Sequence, residues 1–252
     1  MSSVRRNEER LSMLEKTWLM LDAFRPTGGP LRLVDIAHRC QLPKSTALRL
    51  LNDLTELGVV VRRDGRYLLG RRLFELGSIV PLERDLRHAA LPFMHDLFEA
   101  TRETIHLGVR DGLDVVYVEK IRGHESLSLP SAVGGRLPLT CTGVGKVLLA
   151  YSGQELLDEV FSRPLRRLTP RSIVDAGRLE EEIGQIQVQG LAYEREEAQL
   201  GNACIAAPIF RGGRVVAALS VSLPVARFQP ARLAPAVKTA ALGVSRVLVK
   251  SL

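Results

Sequence analysis

Apolar residues recur at helical spacing near the start of the chain. Leu11, Leu14, Trp18 and Leu21 predict an amphipathic helix over residues 9–24 with those side chains turned to a core. The breaker stretch Pro26-Thr27-Gly28-Gly29-Pro30 closes it. After an extended Leu31-Arg32-Leu33, the residues Val34, Ile36 and Ala37 suggest a second short helix. Cys40-Gln41-Leu42-Pro43 makes a turn, with Pro43 expected at the first helical position, where its missing N–H is no loss. A third helix runs from about Lys44 to Leu57. Its apolar side is Ala47, Leu50, Leu51, Leu54 and Leu57, while Lys44, Ser45, Thr46, Arg49 and Asn52 take the N-terminal end and the opposite side; Gly58 supplies the stop. Val59–Arg63 and Arg66–Leu69 then flank Asp64-Gly65, a strong tight-hairpin signal. Three helices followed by a hairpin describe a winged helix-turn-helix.

Residues 71–90 carry helical signals broken at Gly77 and Pro81 and read as a linker, with one helix before the break and another after it. Leu91, Met94, Leu97 and Phe98 extend the second of these, from about Asp85 to Thr101. The period then changes. Thr104–Val109 and Val115–Val118 argue a hairpin around Asp111-Gly112, and strand character returns at Leu127–Leu129, Cys204–Phe210 and Val215–Leu223, the last two joined by Arg211–Arg214. Helices are expected near 143–152, 153–162, 178–189 and 231–249. Helices around an antiparallel sheet make this half α+β. The expected division is a winged helix-turn-helix over residues 1–72, a linker over 73–88 and an α+β domain over 89–252.

Composition sharpens this picture at two points. Of 35 Lys+Arg and 28 Asp+Glu in 252 residues, the first 75 residues hold 14 and 9, so +5 of the +7 net charge lies in the first third of the chain. A positive field concentrated there suits a polyanion such as double-stranded DNA. No apolar run approaches the roughly 20 residues that span a bilayer, and residues 1–10 lack a secretory apolar stretch, so a cytoplasmic location without membrane contact is expected. Three widely spaced cysteines, Cys40, Cys141 and Cys204, form neither a disulfide framework nor a paired zinc motif.

A helix entering the roughly 12 Å wide major groove reads bases with its first two turns, which makes Lys44, Ser45, Thr46 and Arg49 the candidate contacts and Arg49 the foremost base reader. Arg62, Arg63 and Arg66 at the hairpin would meet the flanking backbone or minor groove, with Tyr67 a candidate phosphate donor. A solvated helix face is the plainer account of any one of these cations; turn, helix and wing together favour DNA.

Catalytic motifs fail on inspection. Gly145-Lys146 would need a glycine at position 140, which is threonine, and a hydroxyl at 147, which is valine. Gly143 and Gly145 fail the dinucleotide pattern because residue 148 is leucine. His38, His88, His95, His106 and His124 show no metal-ligand spacing, and Glu180-Glu181-Glu182 reads as a solvated helix face. No catalytic residue, metal or cofactor is therefore expected. Ser220 and Ser222 lie two apart on a strand and share one face, for either a ligand or backbone groups. Gly143 and Gly145 open a helix whose free N–H groups suit a carboxylate, although close packing would also demand glycine. Cys204 reads as a core thiol.

The chain resembles the IclR family of bacterial transcription regulators over almost its whole length. The resemblance rests on Leu42–Leu51, Asp64–Gly70, Asp114–Lys120, Gly143–Lys146 and Gly201–Pro208, which occur in the family's order. It implies an N-terminal winged helix-turn-helix, a linker helix and a GAF-like α+β effector domain. It further implies dimers or pairs of dimers on partly palindromic operators, and a small-molecule effector near Leu127, Leu129, Gly143, Val144, Glu194, Cys204, Ser220 and Ser222. The chain departs from the family's usual residues at Thr140-Cys141-Thr142 and at Glu194-Arg195. The competing readings are a metabolite-processing enzyme with an accessory DNA-binding domain, using Cys204 and Glu194, and a scaffold whose GAF-like domain only dimerises.

Overall fold

The computed structural model describes residues 11–25, 28–123 and 131–250. The expected strand at Leu127–Leu129, the candidate contacts Leu127 and Leu129, His124, Pro26-Thr27 and the start of the first predicted helix lie outside them. Two compact units divide at Val80/Pro81, inside the stretch expected as linker.

In the first unit, α1 (Met13–Asp22), α2 (Leu33–Cys40) and α3 (Lys44–Glu56) precede the antiparallel pair β1 (Val60–Arg63) and β2 (Arg66–Leu69), and α4 (Arg71–Gly77) follows. Asp64 and Gly65 both take positive φ, 49° and 73°, as a two-residue type I′ hairpin requires. Pro43 is the N-cap of α3, one position earlier than expected: its extended ψ of 143° sets the chain's entry into the helix, and Ala47 N–H donates to its carbonyl. Ala47, Leu50, Leu51 and Leu54 are buried as predicted, whereas Leu57, the C-cap, is exposed.

The first helix corrects the sequence reading. Leu14 and Trp18, expected to face the core, are 81% and 62% exposed; Met20, Ala23 and Phe24 are buried instead. Among the described residues it is the C-terminal end of α1 that meets a neighbour, where the Cys40 thiol donates to Leu19 O and Arg39 to Ala23 O. Periodicity reported an apolar stripe but could not say which end of it finds a partner.

The second unit opens with α5 (Pro81–Thr101), which begins at the proline expected to end the linker break, since the first turn of a helix tolerates proline. A six-stranded antiparallel sheet follows in the order β5-β4-β3-β8-β7-β6, from β3 (Thr104–Asp111), β4 (Asp114–Ile121), β5 (Arg136–Pro138), β6 (Ala192–Arg195), β7 (Asn202–Arg211) and β8 (Arg214–Pro224). The β3–β4 turn centres on Gly112-Leu113, one residue later than expected, because Asp111 and Asp114 pair. On one face α5 and α9 (Pro230–Lys250) pack Met94, Leu97, Val237 and Val244 onto Ile105, Leu107, Ile205, Leu219 and Val221. On the other face α6 (Gly143–Ala150) and α8 (Ala176–Gln189) cover Val115, Tyr117, Ala206 and Ala218, with α7 (Gln154–Phe161) between them in sequence. Two layers of helix around one sheet match the α+β expectation. Among the described residues no helix is long and apolar enough to cross a membrane, and Cys40, Cys141 and Cys204 are buried free thiols.

Candidate DNA-reading face and effector cavity

On α3, Lys44, Ser45 and Arg49 are exposed and Thr46 is half-buried. The first turn of this helix contains no acidic residue, so its positive end stays open to phosphate. Lys44, Arg49, Arg62, Arg63 and Arg66 have no carboxylate partner among the described residues. Such unpaired cations release counterions rather than break salt bridges when they meet DNA. Leu48, 39% exposed, shares the face of Ser45, Arg49 and Asn52; it was not singled out in the sequence, and an exposed leucine there suits a thymine methyl.

Tyr67 corrects the reading of the wing. It is 2% exposed, its N–H and C=O both bond to Leu31, and the Arg62 guanidinium lies 5.5 Å from its ring centroid. The tyrosine anchors the hairpin to the helical core, which leaves Arg62, Arg63 and Arg66 as the exposed candidate contacts of the wing.

In the second unit, pairing rows carry polar groups to one side of the sheet. One row runs Glu194, Cys204, Ser222, and the adjacent row Ala206, Ser220, His106, Lys120. Glu194, Cys204, Ser220, Ser222 and His106 line one small cavity, joined by Val144 at the start of α6 and by Ser131. Its volume is about 20 Å³, room for about one water. Of the sequence candidates, Ser220 and Ser222 thus share a face. Val144 lines the cavity, while Gly143 stands behind it: a Cβ there would sit 2.7 Å from Cys204 Sγ. At Gly145 a Cβ would lie 2.2 Å from Leu139 O, so both glycines serve close packing. The Gly145 N–H is taken by Thr142 Oγ1 at 2.9 Å, which leaves Val144 N–H without an acceptor among the described residues.

His106, Ser131, Tyr117 and Asn202 also line the cavity, and sequence reasoning did not select them. The only available signal was His106 among alternating strand residues. Its Nε2 lies 2.7 Å from Ser131 Oγ and its Nδ1 3.3 Å from Ser222 Oγ. Burial, aided by the nearby Lys120 charge, lowers its pKa to about 3, so the ring is neutral near pH 7 and can both give and accept. Among the described residues no arginine or lysine lines the cavity; the Lys120 ammonium donates to Ser131 Oγ, at 3.3 Å. Burial also pushes the Cys204 thiol well up, and the adjacent Glu194 adds to this, the reverse of what a nucleophile needs.

Glu194 is 1% exposed, and its Oε1 accepts the N–H groups of Glu197 (2.5 Å) and Ala198 (3.2 Å). Burial outweighs these bonds and raises its pKa to about 7. The folded state thus holds a proton that the unfolded chain, with a carboxyl near 4.5, releases, and stability falls as pH rises between those values. Replacing Glu194 by Gln keeps the acceptor and removes the titration. The expected result is a wild-type loss of about 3 kcal/mol relative to the variant between pH 4.5 and 7.5, read from urea unfolding. Parallel curves for the two proteins would contradict it.

Beneath the cavity, Lys146 is fully buried and donates to Glu182 Oε2 (2.6 Å) and Glu197 Oε1 (2.7 Å). Burial alone would lower its pKa, but Glu197 and Glu182 more than offset this and hold it above the usual lysine range. Glu182 is therefore not part of a wholly solvated acidic face; only Glu180 and Glu181 are exposed.

Comparison with known proteins matches both units. The IclR helix-turn-helix domain covers residues 13–64, and the bacterial transcriptional regulator IclR C-terminal domain covers residues 81–246. The HTH-type transcriptional regulator XynR of Escherichia coli is 34% identical over 94% of this chain and 97% of its own. The HTH-type transcriptional regulator KdgR of the same organism is 36% identical over 80% of this chain and 78% of its own. Among solved structures, an IclR homolog from Microbacterium hydrocarbonoxydans complexed with 4-hydroxybenzoate superposes with a TM-score of 0.86 at 32% identity, covering 94% of this chain and 99% of that one. Two family models that together span most of the chain, and a relative 34% identical over 94% of it, agree: the chain belongs to the IclR family of bacterial transcriptional regulators.

Proposed function

We propose that this regulator binds a partly palindromic operator as a homo-oligomer, and that a small organic or aromatic acid in the cavity of the second unit sets its operator affinity. Lys44, Ser45, Thr46 and Arg49 read the major groove, Arg62, Arg63 and Arg66 hold the flank, and residues 73–88 link the two functions. The observation that carries the effector half is the cavity itself. It brings Glu194, Cys204, Ser220, Ser222 and Val144 N–H to one place with a neutral histidine. Its groups suit a ligand with both a hydroxyl and a carboxylate. The hydroxyl donates to Glu194, while Val144 N–H and the serine hydroxyls hold the carboxylate without a cationic side chain. The 4-hydroxybenzoate of the Microbacterium protein has this pair of groups.

Because the cavity has room for about one water, such a ligand binds a more open arrangement than the one described. That difference in affinity between two arrangements is what linkage to DNA binding requires. An enzymatic reading through Cys204 has less support, since the thiol is held protonated beside a buried carboxyl.

The test is to titrate 4-hydroxybenzoate and related hydroxylated acids against the full-length protein on its operator. At least one is expected to raise the melting temperature and shift operator affinity, with Ser222→Ala weakening the ligand about tenfold, the worth of one hydrogen bond, while leaving ligand-free operator binding intact. Ligand binding with no change in operator affinity would refute the regulatory link.

A further inference from the structure

Beside the effector cavity, on the other side of β6, lies a larger open groove of about 680 Å³. The two share no lining residue, because successive side chains of β6 alternate: Glu194 enters the cavity while Tyr193 and Arg195 line the groove. Arg167, Arg171, Arg178 and Arg195 all border it, all are exposed, and none pairs with a carboxylate among the described residues. Each of the groove's carboxylates already accepts at least one hydrogen bond from the protein. Asp175 caps α8 by accepting Arg178 N–H, Glu196 accepts Gly201 N–H, and Glu182 and Glu197 hold Lys146. One acceptor remains: Glu197 Oε2 is buried, in a residue 6% exposed, and has no hydrogen-bond partner among the described residues. An unpaired buried carboxylate oxygen is costly and calls for a donor.

We propose that this groove is a second ligand site, distinct from the effector cavity, for a compact hydroxylated multi-anion of the sugar-phosphate type. The guanidinium groups supply forked donors to the anionic oxygens. Glu197 Oε2 accepts from a ligand hydroxyl and disfavours an anion that has none.

Fructose 1,6-bisphosphate is the probe, titrated calorimetrically into the full-length protein, with pyrophosphate and unphosphorylated fructose beside it. Because the helix-turn-helix is itself cationic, two variants are compared: Arg171→Ala/Arg195→Ala in the groove, and Arg62→Ala/Arg63→Ala in the wing. The expected result is saturable binding of the bisphosphate, weaker binding of pyrophosphate and none of fructose. The groove variant should lose at least tenfold in affinity and the wing variant less than twofold, with circular dichroism unchanged in both. Three results would each overturn the site: no bisphosphate binding, binding that follows the wing variant, or equal affinity for pyrophosphate.

Discussion

Lys146→Ala is expected to cost the second unit about 3–5 kcal/mol, the usual penalty for removing one partner of a buried ion pair. A fully buried ammonium serves Glu182 and Glu197 together, and Glu197 Oε2 already lacks a partner. Without the cation, a buried carboxylate must either stay charged in a poor medium or take up a proton. The loss should therefore shrink as pH is lowered toward 5. The double change Lys146→Met with Glu197→Gln should recover most of it, since a neutral, well-packed replacement avoids the stranded charge. Denaturant unfolding followed by circular dichroism reads both effects. A loss below about 1 kcal/mol, or one that grows on acidification, would show that the cluster is not the buried ionic anchor described.

The second large effect concerns DNA. Arg49→Ala is expected to lower operator affinity by about 1–3 kcal/mol, roughly tenfold to a hundredfold, and to relax discrimination at one base pair per half-site. Arg49 is exposed on the first turns of α3 with no carboxylate to satisfy, so its removal should leave the fold untouched. Arg63→Ala offers the contrast. A wing arginine on phosphate weakens all duplexes alike and reduces the salt slope by about one. If Arg49→Ala behaved as Arg63→Ala does, with uniform loss and unchanged discrimination, α3 would not be the reading element.

The reading helix and wing were legible in the sequence because their signals are local: a 3.6 period on Ala47, Leu50, Leu51 and Leu54, and Asp64-Gly65 between two short strands. What escaped notice depended on distant partners. Tyr67 looked like a surface phenol until Leu31, 36 positions earlier in the chain, supplied its second backbone pairing. Leu14 and Trp18 have the spacing of a core face, but nothing in the first unit covers that end of α1 among the described residues. The strands β5 and β6 went unpredicted because they are three and four residues long and sit at the two edges of the sheet, too short to establish a period of two.

The candidate effector cavity was half legible for a similar reason. Ser220 and Ser222 could be paired by alternation alone, whereas His106 joins them only through the β3–β8 register, which no local pattern encodes. Lys146 drew attention as part of a failed phosphate-loop motif. Its actual role depends on Glu182 and Glu197, 36 and 51 residues away.

The central claim, that α3 and the wing read a specific operator, is tested most directly by measuring binding to DNA from upstream of the protein's own gene and to a scrambled duplex across a salt series. At least roughly a thousandfold preference for the upstream DNA is expected near physiological salt. Affinity for both duplexes should fall steeply as salt rises, as release of counterions from several phosphates demands. Equal, weak binding to the two duplexes at every salt concentration would contradict it.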